Sequence, residues 1–390
     1  MRLYVDVSYE SLNKYNEELC GDTVEVIRNG NSVTVVLADG LGSGVKANIL
    51  STLTSKIIGT MLVNGASIDE AVETIANTLP VCKEREIAYS TFSILQVFNS
   101  GECYLVEFDN PSVIYLEGGK VKYLESISRE INGKHVKESR LQLSEDDTFV
   151  LISDGVVHAG IGSTLNLGWQ WENVAEYVER TWKKDLSAKK IAKLLVSVCD
   201  NLYAQKPGDD ATVAAVKIRS PLKVNIMVGP PVDRNQDNYV VSRFLSQEGM
   251  KVVCGGTTSK IVSRETGREI VTSFNYFNPA VPPIAEIDGI DLTTEGVLTL
   301  GKTLDYVRRC LSTESTIHDL LHLKDRDGAS KLANILLEDG TSVNFFVGRA
   351  MNPAHQNPDM PLNLGLKLKL VEELAAYLKS IGKEVSIEYF

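Results

Sequence analysis

An apolar, β-rich run at residues 33–38 ends directly in the segment Asp39-Gly40-Leu41-Gly42-Ser43-Gly44. Strand ends that pass into glycine-rich backbone are where catalytic and binding groups collect, and here the first residue after the run is an acid. The same pattern returns at residues 149–155, where a second apolar run ends in Asp154-Gly155. A third acidic point, Asp209-Asp210, directly precedes another apolar run. These three separated points predict one acidic site that the tertiary fold assembles.

An isolated Asp-Gly pair ordinarily forms a turn, so a single copy would predict a hairpin and nothing more. Two copies separated by long helical and hairpin segments cannot belong to one hairpin, and clustered acids need another reason. A divalent cation supplies it, because carboxylates and carbonyls are hard oxygen ligands for Mg²⁺ or Mn²⁺. The candidate cluster contains neither cysteine nor the paired histidines typical of zinc sites. The sequence therefore predicts a Mg²⁺ or Mn²⁺ centre.

Four motifs follow one another in the first half of the chain. They are Leu19-Cys20-Gly21-Asp22-Thr23, Asp39-Gly40-Leu41-Gly42-Ser43-Gly44, Ser153-Asp154-Gly155 and Asp209-Asp210-Ala211-Thr212-Val213. Their order and spacing are far more specific than any one of them. Over residues 1–219 the chain resembles the PP2C-type (PPM) metal-dependent protein phosphatases, and more closely their bacterial sporulation stage II E and stress-response branch.

The resemblance implies an α+β fold, an αββα sandwich, for this region. It also implies hydrolysis of phosphoserine or phosphothreonine on a protein by two Mn²⁺ or Mg²⁺ ions, which activate a bridging water as hydroxide. Asp39 would be the bridging carboxylate, the Gly40 carbonyl would bind one ion, and Asp154 and Asp209 would hold the other. Asp39, Asp154 and Asp209 are thus the expected catalytic residues.

Two further acids complete the metal site that the resemblance implies. Asp22 takes the acidic position of the first motif, and Asp210 supports the site from behind, although an exchange of roles with Asp209 stays open. Leu41 stands where many eukaryotic relatives carry a histidine, so protonation of the leaving group is assigned to water. The chain has no secure counterpart of the eukaryotic phosphate-binding arginine near the N-terminus.

Other tempting residues have simpler interpretations. His158, four residues after Asp154, is more often a surface histidine than a proton donor. Gly42 and Gly44 form a Gly-x-Gly pair without the rest of a nucleotide-binding fingerprint, and entry into a helix explains both.

Length and composition favour a cytoplasmic protein of two domains. The chain has 390 residues, of which 43% are apolar, and no run long enough to predict a membrane span. Its first residues lack the long apolar region of a signal peptide. A formal net charge of −11 disfavours nonspecific binding to nucleic acid, and six dispersed cysteines are typical of reduced thiols.

The domain boundary is expected at Arg219-Ser220-Pro221, between a phosphatase-like domain at 1–219 and an accessory α/β domain at 220–390. In the first, strands at 23–27 and 32–38 flank a hairpin turn at Asn29-Gly30. Two helices are expected next, one at about 45–63 and one from Ser67 to a point before Pro80, followed by further strands. In the related bacterial enzymes these helices are regulatory, so a partner or the C-terminal domain is expected to control activity through them.

The second half has a β-loop-α-β order that favours a smaller α/β domain with a regulatory or ligand-binding role. Its expected elements are strands at 223–228 and 251–254, helices near 236–247, at 303–311 and at 366–380, and a hairpin that turns at Glu338-Asp339-Gly340. Three polar groups are interpreted as structural or surface features and not as a phosphate loop, a binding loop and a zinc site. They are Gly255-Gly256-Thr257-Thr258-Ser259, the block from Gly348 to Pro358, and the pair His318 and His322.

Two functional classes follow. The first is an active serine/threonine phosphatase that acts on a phosphorylated regulatory protein, and the intact acids favour it. The alternative is a partner- or nucleotide-sensing scaffold with slow or absent turnover. The expected partners are the phosphoprotein and a regulatory protein, without nucleic acid or membrane, and a homodimer is left open.

Overall fold

The computed structural model describes residues 3–78, 90–131, 134–272, 281–312, 314–321, 323, 327–350 and 362–390. The chain divides into two compact units, Met1–Ser220 and Pro221–Phe390. These are called the first and second unit below.

The first unit contains two antiparallel sheets and five described helices. The strands are β1 (Tyr4–Leu12), β2 (Asp22–Arg28), β3 (Ser32–Gly40), β4 (Ser90–Phe98), β5 (Glu102–Phe108), β6 (Ile114–Glu117), β7 (Lys120–Lys122), β8 (Ile127–Ile131), β9 (Lys134–Gln142), β10 (Thr148–Ile152) and β11 (Ala211–Arg219). The helices are α1 (Gly44–Val63), α2 (Ile68–Thr78), α3 (Asp154–Val157), α4 (Trp171–Thr181) and α5 (Ala188–Leu202). The first sheet has the order β1-β11-β10-β6-β7, and the second has the order β2-β3-β4-β5-β9-β8.

Three cores define the layers of this unit. One lies between the sheets and includes Leu37 of β3 and Phe149 of β10. A second packs the first sheet against α4 and α5, and a third packs the second sheet against α1 and α2 through residues such as Val36. Strand β3 reads as an uninterrupted apolar run because one of its faces meets the other sheet and the opposite face meets helices. The expected αββα sandwich is confirmed.

The second unit is a three-layer α/β fold. Its strands are β12 (Lys223–Val228), β13 (Met250–Cys254), β14 (Ile270–Thr272), β15 (Ala285–Ile287), β16 (Leu292–Thr294), β17 (Ser342–Val347) and β18 (Glu384–Tyr389). Its helices are α6 (Asp237–Leu245), α7 (Gly256–Thr266), α8 (Val297–Leu311), α9 (Ile317–Leu321), α10 (Gly328–Asn334) and α11 (Leu362–Ser380).

One seven-stranded sheet runs through this unit in the order β14-β15-β16-β13-β12-β17-β18. The strands from β16 to β18 in that order are parallel, and β14 and β15 are antiparallel. Neighbouring residues of β12 enter different layers: Ile226 packs on the side of α8, α10 and α11, and Met227 packs on the side of α6 and α7. The predicted smaller α/β domain is confirmed as a fold class.

The prediction of a hairpin turn at Glu338-Asp339-Gly340 is wrong. Residues 335–339 continue α10 as a π-helical turn, and β17 begins only after it. The Lys383 ammonium donates to the carbonyl oxygens of Leu336, Leu337 and Gly340, each at 2.6 Å. These bonds supply donors for the carbonyl groups at the C-terminal end of the helix, which have no partner within a helix. Asp-Gly is compatible with either structure, and the deciding contact comes from a residue much later in the chain.

Helix α8 begins at Val297, six residues before the predicted start at residue 303. Gly301 lies inside it, and a glycine in a helix interior weakens the sequence signal of the turns around it. Among the described helices, none has both the length and the apolar character that crossing a bilayer requires.

Candidate metal-binding catalytic site

The hairpin of β2 and β3 places the first two predicted acids opposite each other. The Asn29 carbonyl oxygen of the side chain accepts the backbone N–H groups of Asn31 and Ser32 at 2.9 and 2.7 Å, which closes the turn. The register that results pairs Asp22 with Asp39 at the far end of the ladder. Directly opposed residues project to the same face of a sheet. A local turn therefore brings these two carboxyl groups to one place.

Both Asp-Gly pairs need glycine for close backbone approach and not for a turn. A Cβ atom added to Gly40 would lie 2.0 Å from the carbonyl oxygen of Ala47 in α1. One added to Gly155 would lie 2.0 Å from the carbonyl oxygen of Asp210. Neither glycine has a positive φ. Because these glycines have no side chain, α1 can pack directly against the backbone next to Asp39, and the backbone of Asp210 can pack directly against the backbone next to Asp154.

The neighbouring strands β10 and β11 supply the remaining acids. Ser153 joins the ends of the two strands, because its N–H donates to the Thr212 carbonyl at 3.0 Å and its hydroxyl accepts the Thr212 N–H at 2.8 Å. Asp154, the next residue, is the first of α3, and Asp209-Asp210 immediately precedes β11. The antiparallel pairing places all three acids at one end of the first sheet.

These segments meet around a cavity of about 320 Å³, called the acidic cavity below. All six residues of the expected metal site line it: Asp22, Asp39, Gly40, Asp154, Asp209 and Asp210. Residues that are distant in the sequence are thus brought together as the motifs predicted. Their roles as metal ligands remain a proposal.

The acidic cavity disfavours negative charge on its deepest carboxyl groups. Burial, and to a smaller extent the nearby Asp22 and Asp154, together raise the pKa of Asp39 from 3.8 to about 9. Burial also raises the pKa of Asp22 to about 7, against hydrogen bonds from Ser153 and Thr212 that lower it. Without a cation, carboxylates this close and this buried would repel one another, so they retain protons.

Two buried carboxylate oxygens bear directly on whether a cation fits. Asp22 and Asp210 are 5% and 4% exposed, and the Oδ2 atom of each has no hydrogen-bond partner among the described residues. A buried carboxylate oxygen without a partner is unfavourable unless a cation or a proton compensates it. Hard oxygen donors in this number suit Mg²⁺ or Mn²⁺. The side chains therefore fit the expected metal.

Within the described part of the chain, no three or more His, Cys, Asp or Glu side chains already converge as a metal site. The acids line a common cavity, but their carboxyl groups are too far apart to coordinate one ion together. This spacing is consistent with mutual repulsion. We expect a bound cation to pull them inwards.

The raised pKa values predict how the stability of the metal-free protein depends on pH. At pH values between 3.8 and about 9, the Asp39 carboxyl group is protonated in the folded protein and deprotonated in the unfolded chain. Unfolding then releases protons, so rising pH favours it. With chelator present, we expect the melting temperature to fall between about pH 5 and pH 8.5. The fall should be smaller in Asp39→Asn, which lacks the group, and equal slopes in the two proteins would contradict the prediction.

The open choice between Asp209 and Asp210 acquires a structural basis. Asp210 is deeply buried, and its Oδ1 accepts the backbone N–H of Lys14 at 2.9 Å, which leaves Oδ2 for a ligand. The Asp209 side chain is 39% exposed. Asp210 therefore offers one fixed oxygen deep in the acidic cavity, whereas Asp209 offers a carboxylate near its mouth.

Lys14 is a lining residue that the sequence did not single out. Its ammonium lies 3.9 Å from Oδ1 of Asp209, and among the described residues that line the acidic cavity it is the one cation. It lies in the segment between β1 and β2, outside all four motifs. Its nearness to the first motif was the available signal, and a lone lysine in a polar loop is too common to be informative.

The residues given simpler interpretations lie at the margin or elsewhere. His158 is half-exposed, and its Nδ1 is 4.0 Å from Oδ2 of Asp154, but it does not line the acidic cavity. Gly42 and Gly44 have φ values of 103° and 66° and lead into α1, as the helix-entry interpretation requires. Leu41 lines the cavity at the place where many eukaryotic relatives carry a histidine.

In the second unit, the segment from Gly255 begins α7. The Thr258 hydroxyl accepts the N–H of Gly229 at 2.9 Å, which is a structural use of this side chain. His318 lies in the short helix α9, whereas His322 and residues 351–358 of the polar block lie outside the described residues.

Comparison with known protein families gives one match, which lies in the first unit. Residues 29–219 match the model of the family described as Stage II sporulation protein E (SpoIIE). No curated protein matches the chain. The family model covers slightly less than half of the chain, all of it within the first unit.

Solved structures that are similar to part of the chain include the following three. The PP2C phosphatase domain of SpoIIE from Bacillus subtilis, with a fragment of its regulatory domain, has a TM-score of 0.49 at 21% identity over 56% of this chain and 64% of that one, which is under two thirds of its length. The RsbU and RsbW domains of a Mycobacterium tuberculosis protein have a TM-score of 0.47 at 16% identity over 61% and 66%. RsbX in complex with magnesium has a TM-score of 0.41 at 19% identity over 55% and 95%.

The αββα layers and the acidic cavity define the class of the first unit, a PP2C-type domain. Residues 29–219 match the SpoIIE family model, which describes a PP2C-type phosphatase domain. The resemblance expected from the four motifs is confirmed. PP2C phosphatases are a metal-dependent family.

Proposed function

We propose that the first unit is an active serine/threonine protein phosphatase that depends on two Mn²⁺ or Mg²⁺ ions. The observation that carries the proposal is the acidic cavity, where the Oδ2 atoms of Asp22 and Asp210 are buried and have no hydrogen-bond partner among the described residues. Its substrate is phosphoserine or phosphothreonine on a regulatory protein. The second unit has a regulatory or ligand-binding role.

The residues would divide the work as follows. Asp39, opposite Asp22 in the hairpin, would bridge the ions, and the Gly40 carbonyl would bind one of them. Asp154 and Asp209 would hold the other, with Asp210 behind them. The ions would supply activation of a water for attack on phosphorus and would offset charge on the phosphoryl oxygens.

Lys14 would contribute at the mouth of the acidic cavity. Its ammonium already lies beside Asp209, and a phosphoryl group that entered the cavity would meet this positive charge. Lysine acts as a point charge towards phosphate, without the two-pronged geometry of arginine. It would position the phosphoryl group by charge and leave its orientation to the acids and their ions.

The test is phosphate release from a phosphoserine peptide by the full chain with Mn²⁺, with Mg²⁺ and with chelator. We expect turnover with either ion and its loss on chelation. The same samples should show a higher melting temperature with metal, because binding to the folded state alone stabilises it. Metal-induced stabilisation without turnover would favour the scaffold alternative, and the absence of both effects would reject the proposed site.

A further inference from the structure

A second and larger cavity opens beside the acidic cavity. Its volume is about 610 Å³, nearly twice that of its neighbour, and Asp154 lines both. A molecule that reached into the two cavities at once would pass over this residue. The larger cavity is called the aromatic groove below, after two aromatic rings in its lining, one exposed and one half-buried.

The two rings belong to Tyr123 and Trp171, whose centroids are 5.9 Å apart with an interplanar angle of 31°. Tyr123 is 82% exposed, so the folding of the first unit gains little from its ring. Trp171 is oriented by its indole N–H, which donates to the Ser112 carbonyl at 2.6 Å. Exposed aromatic side chains held in place by their neighbours are typical of protein-binding surfaces, where they supply contact area at low entropic cost.

The wall that carries Tyr123 is anchored to the same helix as Trp171. Glu179 of α4 accepts the N–H of Val121 at 2.8 Å and the ammonium of Lys120 at 2.9 Å, which ties β7 to this helix. Tyr123 directly follows β7, and Trp171 is the first residue of α4. The segments that carry the two rings therefore keep a defined position relative to each other.

The lining of the aromatic groove indicates what it would recognise. Lys122 and Lys137 are balanced by Glu107 and Glu172, so the groove carries no strong net charge of its own apart from the shared Asp154. Glu107 is in addition engaged with the N–H of Val113 at 2.6 Å. The rest of the lining carries no balancing charge pair: Pro111, Val113, Tyr123, Leu124, Val157 and Trp171 are apolar or aromatic, and Ser112, Ser126, Ser139 and His158 are polar. The balance favours apolar side chains over charged ones.

We propose that the aromatic groove binds an extended segment of the phosphoprotein substrate next to the phosphorylated residue, and that Tyr123 and Trp171 select apolar side chains there. The inference rests on the proposed function, since the phosphoryl group must occupy the acidic cavity. Continuity through Asp154 is what assigns the groove to the substrate and not to a separate ligand. Specificity arises outside the acids that would hold the metal.

The test compares two phosphoserine peptides of equal length and charge with the full chain and Mn²⁺. One carries leucine and valine on both sides of the phosphoserine, and the other carries glycine and serine. We expect wild-type kcat/KM to be about tenfold higher for the apolar peptide, the size typical of one well-packed aromatic contact. In Tyr123→Ala the ratio of the two values should approach one.

Tyr9→Ala is the matched control. Tyr9 is 48% exposed on β1, which is the opposite edge of the first sheet from β7. It should retain the tenfold ratio. Equal kcat/KM for the two peptides in the wild type, or a preference that survives in Tyr123→Ala, would overturn the inference.

p-Nitrophenyl phosphate separates this inference from the function on which it rests. If this small ester is hydrolysed but neither peptide is, the aromatic groove does not bind substrate. If no ester is hydrolysed, the proposed function fails, and anisotropy of the labelled, unphosphorylated peptides tests the groove alone. Tighter binding of the apolar peptide that weakens about tenfold in Tyr123→Ala would support it, and equal binding of the two peptides would reject it.

Discussion

Replacing Asp39 by asparagine is expected to lower metal-dependent phosphate release by about a thousandfold, or ~4 kcal/mol of transition-state stabilisation. The substitution keeps the shape of the side chain but removes the charge that would bridge two cations. Asp39 lies opposite Asp22 in the hairpin and lines the acidic cavity, so both ions should bind less tightly. The measurement is initial rate against Mn²⁺ concentration for wild type and variant.

Loss of activity in Asp39→Asn should not come from unfolding. Burial and neighbouring acids raise the pKa of Asp39, so the metal-free protein gains nothing from a charge at this position. With chelator at neutral pH we expect the variant to melt at the same temperature as the wild type or higher, while the stabilisation by Mn²⁺ shrinks. A variant that melts much lower would assign Asp39 a structural role.

Asp154→Asn tests the second strand end in the same way, and Asp109→Asn is the control. Asp109 is an exposed residue after β5 with a φ of 51°, a conformation that asparagine tolerates as well as aspartate does. Asp109→Asn should keep wild-type activity and Asp154→Asn should lose it. Full activity in Asp39→Asn or Asp154→Asn would refute the metal site.

Gly40→Ala is expected to destabilise the first unit by roughly 2–3 kcal/mol, the upper range for overpacking a tight contact. The added methyl group would lie 2.0 Å from the carbonyl oxygen of Ala47, a backbone atom that cannot rotate away. Helix α1 must then move from the end of β3. For a unit of this size, the melting temperature should fall by roughly 4–12 °C.

Gly30→Ala is the matched control on the same hairpin. Among the described residues, no atom lies within 4 Å of a Cβ added to Gly30, and its φ is not positive, so its substitution should change the melting temperature little. Gly40→Ala should also weaken the response to metal, because α1 and the Gly40 carbonyl meet at the acidic cavity. Equal melting temperatures for the two variants would show that α1 adapts without cost.

The prediction for Gly40→Ala also concerns regulation. Through Gly40, the position of α1 is coupled to the backbone of a proposed metal ligand by direct contact. A partner that shifted α1 would therefore act on the site without touching its carboxylates. The expectation that the helices after the first Asp-Gly control activity thus has a physical route.

Much of the acidic site could be predicted because its members lie in short motifs. Asn29 closes the β2–β3 hairpin by local hydrogen bonds, and this turn sets the register that pairs Asp22 with Asp39. Turn chemistry of this kind operates over a few residues, so it is legible in the sequence. The αββα layers followed from the resemblance, and the strand positions in the first half followed from apolar runs.

Lys14 and the aromatic groove could not be predicted in this way. Lys14 meets Asp210 across 196 positions of sequence, and the two rings of the groove come from separate elements joined through Glu179. A lysine in a loop or an exposed tyrosine belongs to no periodic pattern. Its role depends on which distant segment packs beside it in the folded protein. The false hairpin at 338–340 has the same origin, since Lys383 decides it.

The sequence by itself determined the elements whose cause is local: the β2–β3 turn, the apolar strands, the entry into α1 and the four acidic motifs. The tertiary structure alone decided that the six expected metal-site residues line one cavity, that both Asp-Gly glycines serve close backbone contacts, and that an aromatic groove adjoins Asp154. The physical reason is the sequence separation over which the interactions act. Turns and caps are settled among near neighbours, whereas burial, carboxyl pKa values and cavity walls depend on which distant segments pack together.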